Sequence, residues 1–105
     1  MLVYIREAHA LDSSWPAGGG RHPVVEDPVT LQERLTVATT CVERLDLAPM
    51  PTVVDGMDDR VSQSYGAWPE RLYLIAKGGE VAYRGGPGPF EFDPDGLAAA
   101  IEALP

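Results

Sequence analysis

A chain of 105 residues with 45% hydrophobic and 23% charged side chains has the composition of one globular domain, too apolar for intrinsic disorder and without an apolar run of membrane-spanning length. Its formal net charge of −8, with no basic stripe, disfavours nucleic acid and anionic membrane surfaces as partners. A single cysteine, Cys41, and two histidines exclude an internal disulfide framework and the ligand spacings of structural zinc sites, and the absence of a leader-like amino end places the chain in the cytoplasm as an expectation.

Taken in chain order, residues 2–7, Leu-Val-Tyr-Ile-Arg-Glu, are short, β-branched and aromatic and predict an opening strand buried on both faces. Residues 10–27, rich in Ser, Pro, Gly and Asp and including Gly18-Gly19-Gly20, predict a loop long enough to be either a substrate lid or an insertion. A helix then begins at Asp27-Pro28, with proline at its first position, or at the Thr30-Leu31-Gln32-Glu33 capping box. Leu31, Leu35, Ala38, Val42 and Leu45 recur at helical spacing, which predicts one inner face and an end before Pro49.

Residues 51–55, Pro-Thr-Val-Val-Asp, predict a second strand, and the polar stretch from Gly56 to Gly66 a loop with a helical turn. Residues 71–76 and 80–84 are β-rich runs separated by Lys77-Gly78-Gly79, a hairpin signal, since glycine supplies the positive φ a tight reversal needs. The Gly-Pro segment 85–89 is too irregular for a regular element. Asp93-Pro94 then starts a last helix whose inner face is expected to hold Leu97, Ile101 and Leu104.

This order of elements matches the carboxyl part of a thioredoxin-like or peroxiredoxin-like α/β sandwich, a mixed β-sheet flanked by helices. Trp68-Pro69 stands directly before the third strand, where the thioredoxin fold places a cis-proline; the plainer reading is a trans proline that stops the preceding turn.

Four segments sharpen the match. Residues 3–9 (Val-Tyr-Ile-Arg-Glu-Ala-His), 54–57 (Val-Asp-Gly-Met), 65–73 (Tyr-Gly-Ala-Trp-Pro-Glu-Arg-Leu-Tyr) and 83–89 (Tyr-Arg-Gly-Gly-Pro-Gly-Pro) resemble, in order and spacing, the iodothyronine deiodinase family. The resemblance runs nearly from end to end. It implies a thioredoxin-like fold and a reductive deiodination in which a selenolate or thiolate takes iodine from an aromatic ring, an acid supplies a proton, and a thiol reductant restores the nucleophile.

The chain departs from the family in two places. The family's His-Arg pair has no counterpart in register at residues 28–34, His22 lying several residues earlier. The reactive selenocysteine or cysteine stands, in the family, upstream of the segment matching Leu2-Val3-Tyr4-Ile5, so the resemblance implies a single domain, 1–105, incomplete at its amino end, lacking the first βα unit with its central strand, and inactive as it stands.

Within the chain, the resemblance points to His9 and Glu7 as catalytic residues. His9 is the proton donor or phenol-binding group and Glu7 its orienting partner. The two are two residues apart at a predicted strand end and therefore face one side, the alternative being a solvated strand end. Arg71 is a clamp for a carboxylate or phenolate, or else pairs with Glu70 or Glu80. Trp15 and Trp68 either line an aromatic-substrate pocket or serve as core and loop anchors. Pro69 and Asp55 are structural neighbours of the site, Asp55 equally able to cap the following turn. Cys41 follows Thr39-Thr40 in an echo of the family's reactive segment, but its place beside the helix's apolar stripe reads as a small buried hydrophobe.

No metal or separate cofactor is implied. The expected partners are an iodinated phenol, a thiol reductant and, through an exposed sheet edge, a second copy of the chain. A peroxiredoxin-like thiol redox protein and a non-catalytic binding module of the same fold remain the alternatives.

Overall fold

The structure is a computed structural model that describes residues 1–8 and 25–105. Seven elements follow in order: β1 (Leu2–Tyr4), α1 (Leu31–Arg44), β2 (Thr52–Val54), α2 (Arg60–Tyr65), β3 (Tyr73–Ile75), β4 (Val81–Arg84) and α3 (Pro94–Ala103). The arrangement is mixed α/β with small sheets and helices, compatible with a thioredoxin-like α/β fold. The described residues group into two compact units, Met1–Tyr65 and Gly66–Pro105.

In the first unit β1 and β2 pair in parallel, Leu2 with Thr52, Val3 with Val53 and Tyr4 with Val54. Leu2 N donates to Pro51 O and Asp55 N to Tyr4 O, both at 2.8 Å. Parallel partners need a long crossover, and α1, which packs on β2, lies within it. Thr30 adopts an extended N-cap conformation and its Oγ1 accepts from Glu33 N at 3.1 Å. The Glu33 carboxylate turns back to accept from Val29 N at 2.8 Å, so the capping box, and not Asp27-Pro28, starts the helix. Arg44 in the last turn complements the negative end of the helix dipole.

The buried face of α1 differs from the expected one. Arg34 and Ala38 are buried, with Cys41, Val42 and Leu45 half-buried, whereas Leu31 and Leu35 remain 47% and 41% exposed. The helix is turned because the Arg34 guanidinium finds acceptors beneath it, and an inward arginine shifts the inner stripe away from the two leucines.

In the second unit β3 and β4 pair antiparallel as expected, Tyr73 with Arg84 and Leu74 with Tyr83, with an irregularity between Leu74 and Ile75. The reversal is closed by Gly79 N to Ala76 O and Ala76 N to Glu80 O, each at 2.9 Å, and Gly79 takes the positive φ of 94° that the turn requires. Asp93 caps α3 by accepting from Gly96 N at 2.9 Å, with Pro94 at the first position. α3 packs on β3 and β4, but only Leu97 of the predicted stripe is half-buried; Ile101 and Leu104 are 52% and 37% exposed. The correction has a simple cause, for a two-stranded hairpin is too narrow to cover the full length of a ten-residue helix.

The described strands form two two-stranded ladders, β1-β2 and β3-β4. Among the described residues the buried hydrophobic side chains are Tyr4 and Ala38. No described helix is long and apolar enough to cross a membrane.

Candidate functional site

The first unit carries Glu7 and Asp55. β1 ends at Tyr4, so the alternation used to place Glu7 and His9 on one side stops before it reaches them, which corrects that argument. Glu7 follows the strand as a half-buried residue whose Oε1 accepts from the Tyr4 hydroxyl. Tyr4 is itself buried, and this bond provides for a phenol oxygen that burial takes from water. His9, Trp15 and His22 lie outside the described residues.

Cys41 is half-buried on α1. Burial first, and the Glu7 carboxylate second, push its thiol above the ordinary cysteine pKa, the opposite of what an activated nucleophile needs. The folded chain thus holds a proton that the unfolded chain releases. This contribution to stability is complete below the unfolded thiol's pKa and is lost as pH rises through the folded one. Alkylation of Cys41 by iodoacetamide is expected to be slower in the native chain than in the denatured one, with its pH profile displaced to the alkaline side. A native rate equal to or above the denatured rate would refute the assignment.

Asp55 is buried, 2% exposed, at the end of β2. One carboxylate oxygen accepts from Val61 N at 3.0 Å and the other from Ser62 N at 2.9 Å, so the side chain spends both oxygens on the first turn of α2. Capping the start of α2 is one of the two roles read for Asp55. Sequence reasoning missed its partner, Arg34. From α1 this buried guanidinium donates to Asp55 O at 3.3 Å, to Gly56 O at 2.7 Å and to Asp59 Oδ1 at 3.0 Å. The loop between β2 and α2 is therefore held from two directions, by a carboxylate on its own strand and by an arginine on the neighbouring helix. The hydrophobic pattern gave no sign of this, since Arg34 falls between leucines that look like the inner face.

The second unit carries Trp68, Pro69 and Arg71. Of the two readings the Trp68-Pro69 peptide bond takes the cis form, and Trp68 is 47% exposed. Arg71 Nε donates to Gly85 O at 2.7 Å and Nη1 to Gly66 O at 3.0 Å, and its guanidinium carbon lies 5.9 Å from the centre of the Tyr73 ring. The expected alternative, a salt bridge to Glu70 or Glu80, is not formed; the ion pairs among the described residues are Arg6–Asp27 and Arg34–Asp59. Two neutral carbonyls position the group without cancelling its charge, leaving further N–H donors of a five-donor fork for an anion. No cluster of three or more His, Cys, Asp or Glu among the described residues could hold a metal ion.

The mixed α/β arrangement of small sheets and helices is compatible with a thioredoxin-like α/β fold. The family model for iodothyronine deiodinase matches residues 1–104. The chain is 33% identical over 102 residues to a type I iodothyronine deiodinase of Xenopus laevis, which covers 97% of this chain and 38% of that protein. It is 40% identical over 105 residues to a type II iodothyronine deiodinase of Petromyzon marinus, covering 99% and 35% respectively, and 39% identical over 89 residues to a thyroxine 5-deiodinase of Gallus gallus, covering 85% and 33%. The chain belongs to the iodothyronine deiodinase family. It spans about a third of the length of these curated relatives.

Proposed function

We propose that this chain is the substrate-holding part of a deiodinase-type oxidoreductase that removes iodine from an iodinated phenol by reductive dehalogenation. The observation that carries the reading is Arg71, a guanidinium seated on two backbone carbonyls and paired with no described carboxylate. Such a group suits a phenolate or carboxylate, because its planar fork stays charged at all working pH values and its orientation is fixed before the ligand arrives. Trp68, half-exposed three residues earlier, offers an aromatic face.

The chemistry balances with one residue from outside the 105. A selenolate or thiolate takes iodine from the ring, forming a selenium–iodine or sulfur–iodine bond, and the ring carbon keeps the electron pair and takes up a proton. Two equivalents of a thiol reductant then return the nucleophile, releasing iodide and a disulfide. In this reading His9 is the proton donor and Glu7, half-buried and hydrogen-bonded by Tyr4, its orienting partner. Cys41 is no substitute nucleophile, its thiol being held in the protonated form.

The test is binding and turnover measured side by side on this chain with 2,6-diiodophenol and dithiothreitol. Binding without iodide release is expected, and Arg71→Ala should weaken it by roughly ten- to a hundredfold, the loss of a charge-assisted contact. Equal binding by Arg71→Ala would remove the clamp from the reading. Iodide release by the chain alone would overturn the claim that the nucleophile comes from elsewhere, and peroxide consumption in its place would favour the peroxiredoxin-like alternative.

A further inference from the structure

The orientation of Arg71 depends on a backbone feature of residue 66. Gly66 directly follows the last residue of α2 and has φ 55°, the left-handed conformation that L side chains rarely adopt. Its carbonyl accepts from Arg71 Nη1 at 3.0 Å, and a β-carbon built on it would stand 3.2 Å from that same nitrogen. So close an approach is tighter than ordinary van der Waals contact. Any side chain at 66 pushes on the guanidinium whose position its own carbonyl sets. At the other end of the fork Gly85 O holds Nε at 2.7 Å, and Gly85 is buried, so even the few tenths of an ångström by which the guanidinium must give stretch or tilt that bond.

We propose that Gly66 is a positioning residue for the anion clamp, its bare α-carbon and left-handed backbone together setting the plane in which Arg71 presents its free donors. This rests on the reading of Arg71 as an anion-holding group. Gly66 touches no ligand itself; it acts through Arg71. The hairpin supplies a matched control. Gly79 also has positive φ, 94°, but a β-carbon there meets nothing within 4 Å, so alanine at 79 introduces backbone strain without crowding any arginine.

The experiment follows the Arg71 Nε–H resonance in the 15N-labelled chain and titrates the chain with 2,6-diiodophenolate. Gly66→Ala is expected to shift that resonance, speed its exchange with water and weaken binding by roughly fivefold, about 0.7 of a decade in Kd. Gly66→Asn, which accepts left-handed backbone more readily, should do the same and serves where the alanine variant folds poorly. Gly79→Ala should leave both readings within about twofold of the parent. An unchanged Arg71 resonance and Kd in both residue-66 variants overturns the proposal, while a weakened Arg71→Ala still upholds the clamp. Full-strength binding by Arg71→Ala removes the clamp and the proposal with it.

Discussion

Replacing Arg34 with methionine is expected to destabilise the first unit by about 3 kcal/mol, the lower end of the cost of breaking a buried ion pair by removing one partner. The side chain is 3% exposed and its three hydrogen bonds go to Asp55 O, Gly56 O and Asp59 Oδ1. Methionine fills much of the same volume, so the loss isolates the polar contribution. Two carbonyls lose a donor and one carboxylate its cation, but Asp59 is 25% exposed and water recovers part of its solvation. Asp59 also sits at φ 56°, a conformation that costs a non-glycine residue on the order of 1 kcal/mol or more and that the ion pair helps to hold. Against a total stability of only about 5–15 kcal/mol for ordinary domains, and with Tyr4 and Ala38 as the buried hydrophobic side chains among the described residues, the expected result is a urea transition moved to markedly lower denaturant. Arg34→Lys should recover little, because a single ammonium cannot reach three acceptors arrayed around a planar fork. A methionine variant within about 0.5 kcal/mol of the parent, the range of an inert surface change, would show that the brace is incidental.

The second large effect is expected at Asp55. In Asp55→Ala the amides of Val61 and Ser62 lose their acceptors, and Ser62 is itself buried, 6% exposed. An orphaned buried donor costs about 1–3 kcal/mol, so the variant should lose about 2–4 kcal/mol, with α2 fraying first because its six residues are too few to persist unaided. Asp55→Asn distinguishes capping from charge: its amide can accept one of the two N–H groups but turns a donor toward the other, and it should fall between alanine and the parent. Hydrogen exchange at residues 61 and 62 reads the effect directly. Unchanged protection there in the alanine variant would refute the capping role.

The hairpin and both helix caps could be read from the residues because each is set by near neighbours: Lys77-Gly78-Gly79 between two β-rich runs, Thr30 with Glu33, Asp93 with Pro94. The position of Pro69 before a strand was likewise local. What escaped was set by distant partners. Arg34 is inside because of acceptors at residues 55, 56 and 59, and no periodicity within α1 encodes them; the spacing of leucines therefore placed the inner face around Leu31 and Leu35. The arrangement around Arg71 was half legible, since the resemblance singled out the arginine but not the two glycine carbonyls on which it rests. Residues 2–7 and 71–76 read as strands, whereas β1 and β3 span Leu2–Tyr4 and Tyr73–Ile75, because β-forming residues such as Ile5 and Leu72 also stand outside the paired positions.

The pairing pattern also bears on the order in which the chain acquires its structure. Leu74 finds Tyr83 across about nine residues, whereas Val3 must find Val53 across about fifty, and the added loop-closure entropy is about 1.5 kcal/mol. Hairpins form within microseconds, while pairings distant in sequence wait for chain search. The Gly66–Pro105 half therefore carries its topology locally, whereas the β1-β2 ladder of the Met1–Tyr65 half rests on a pairing distant in sequence.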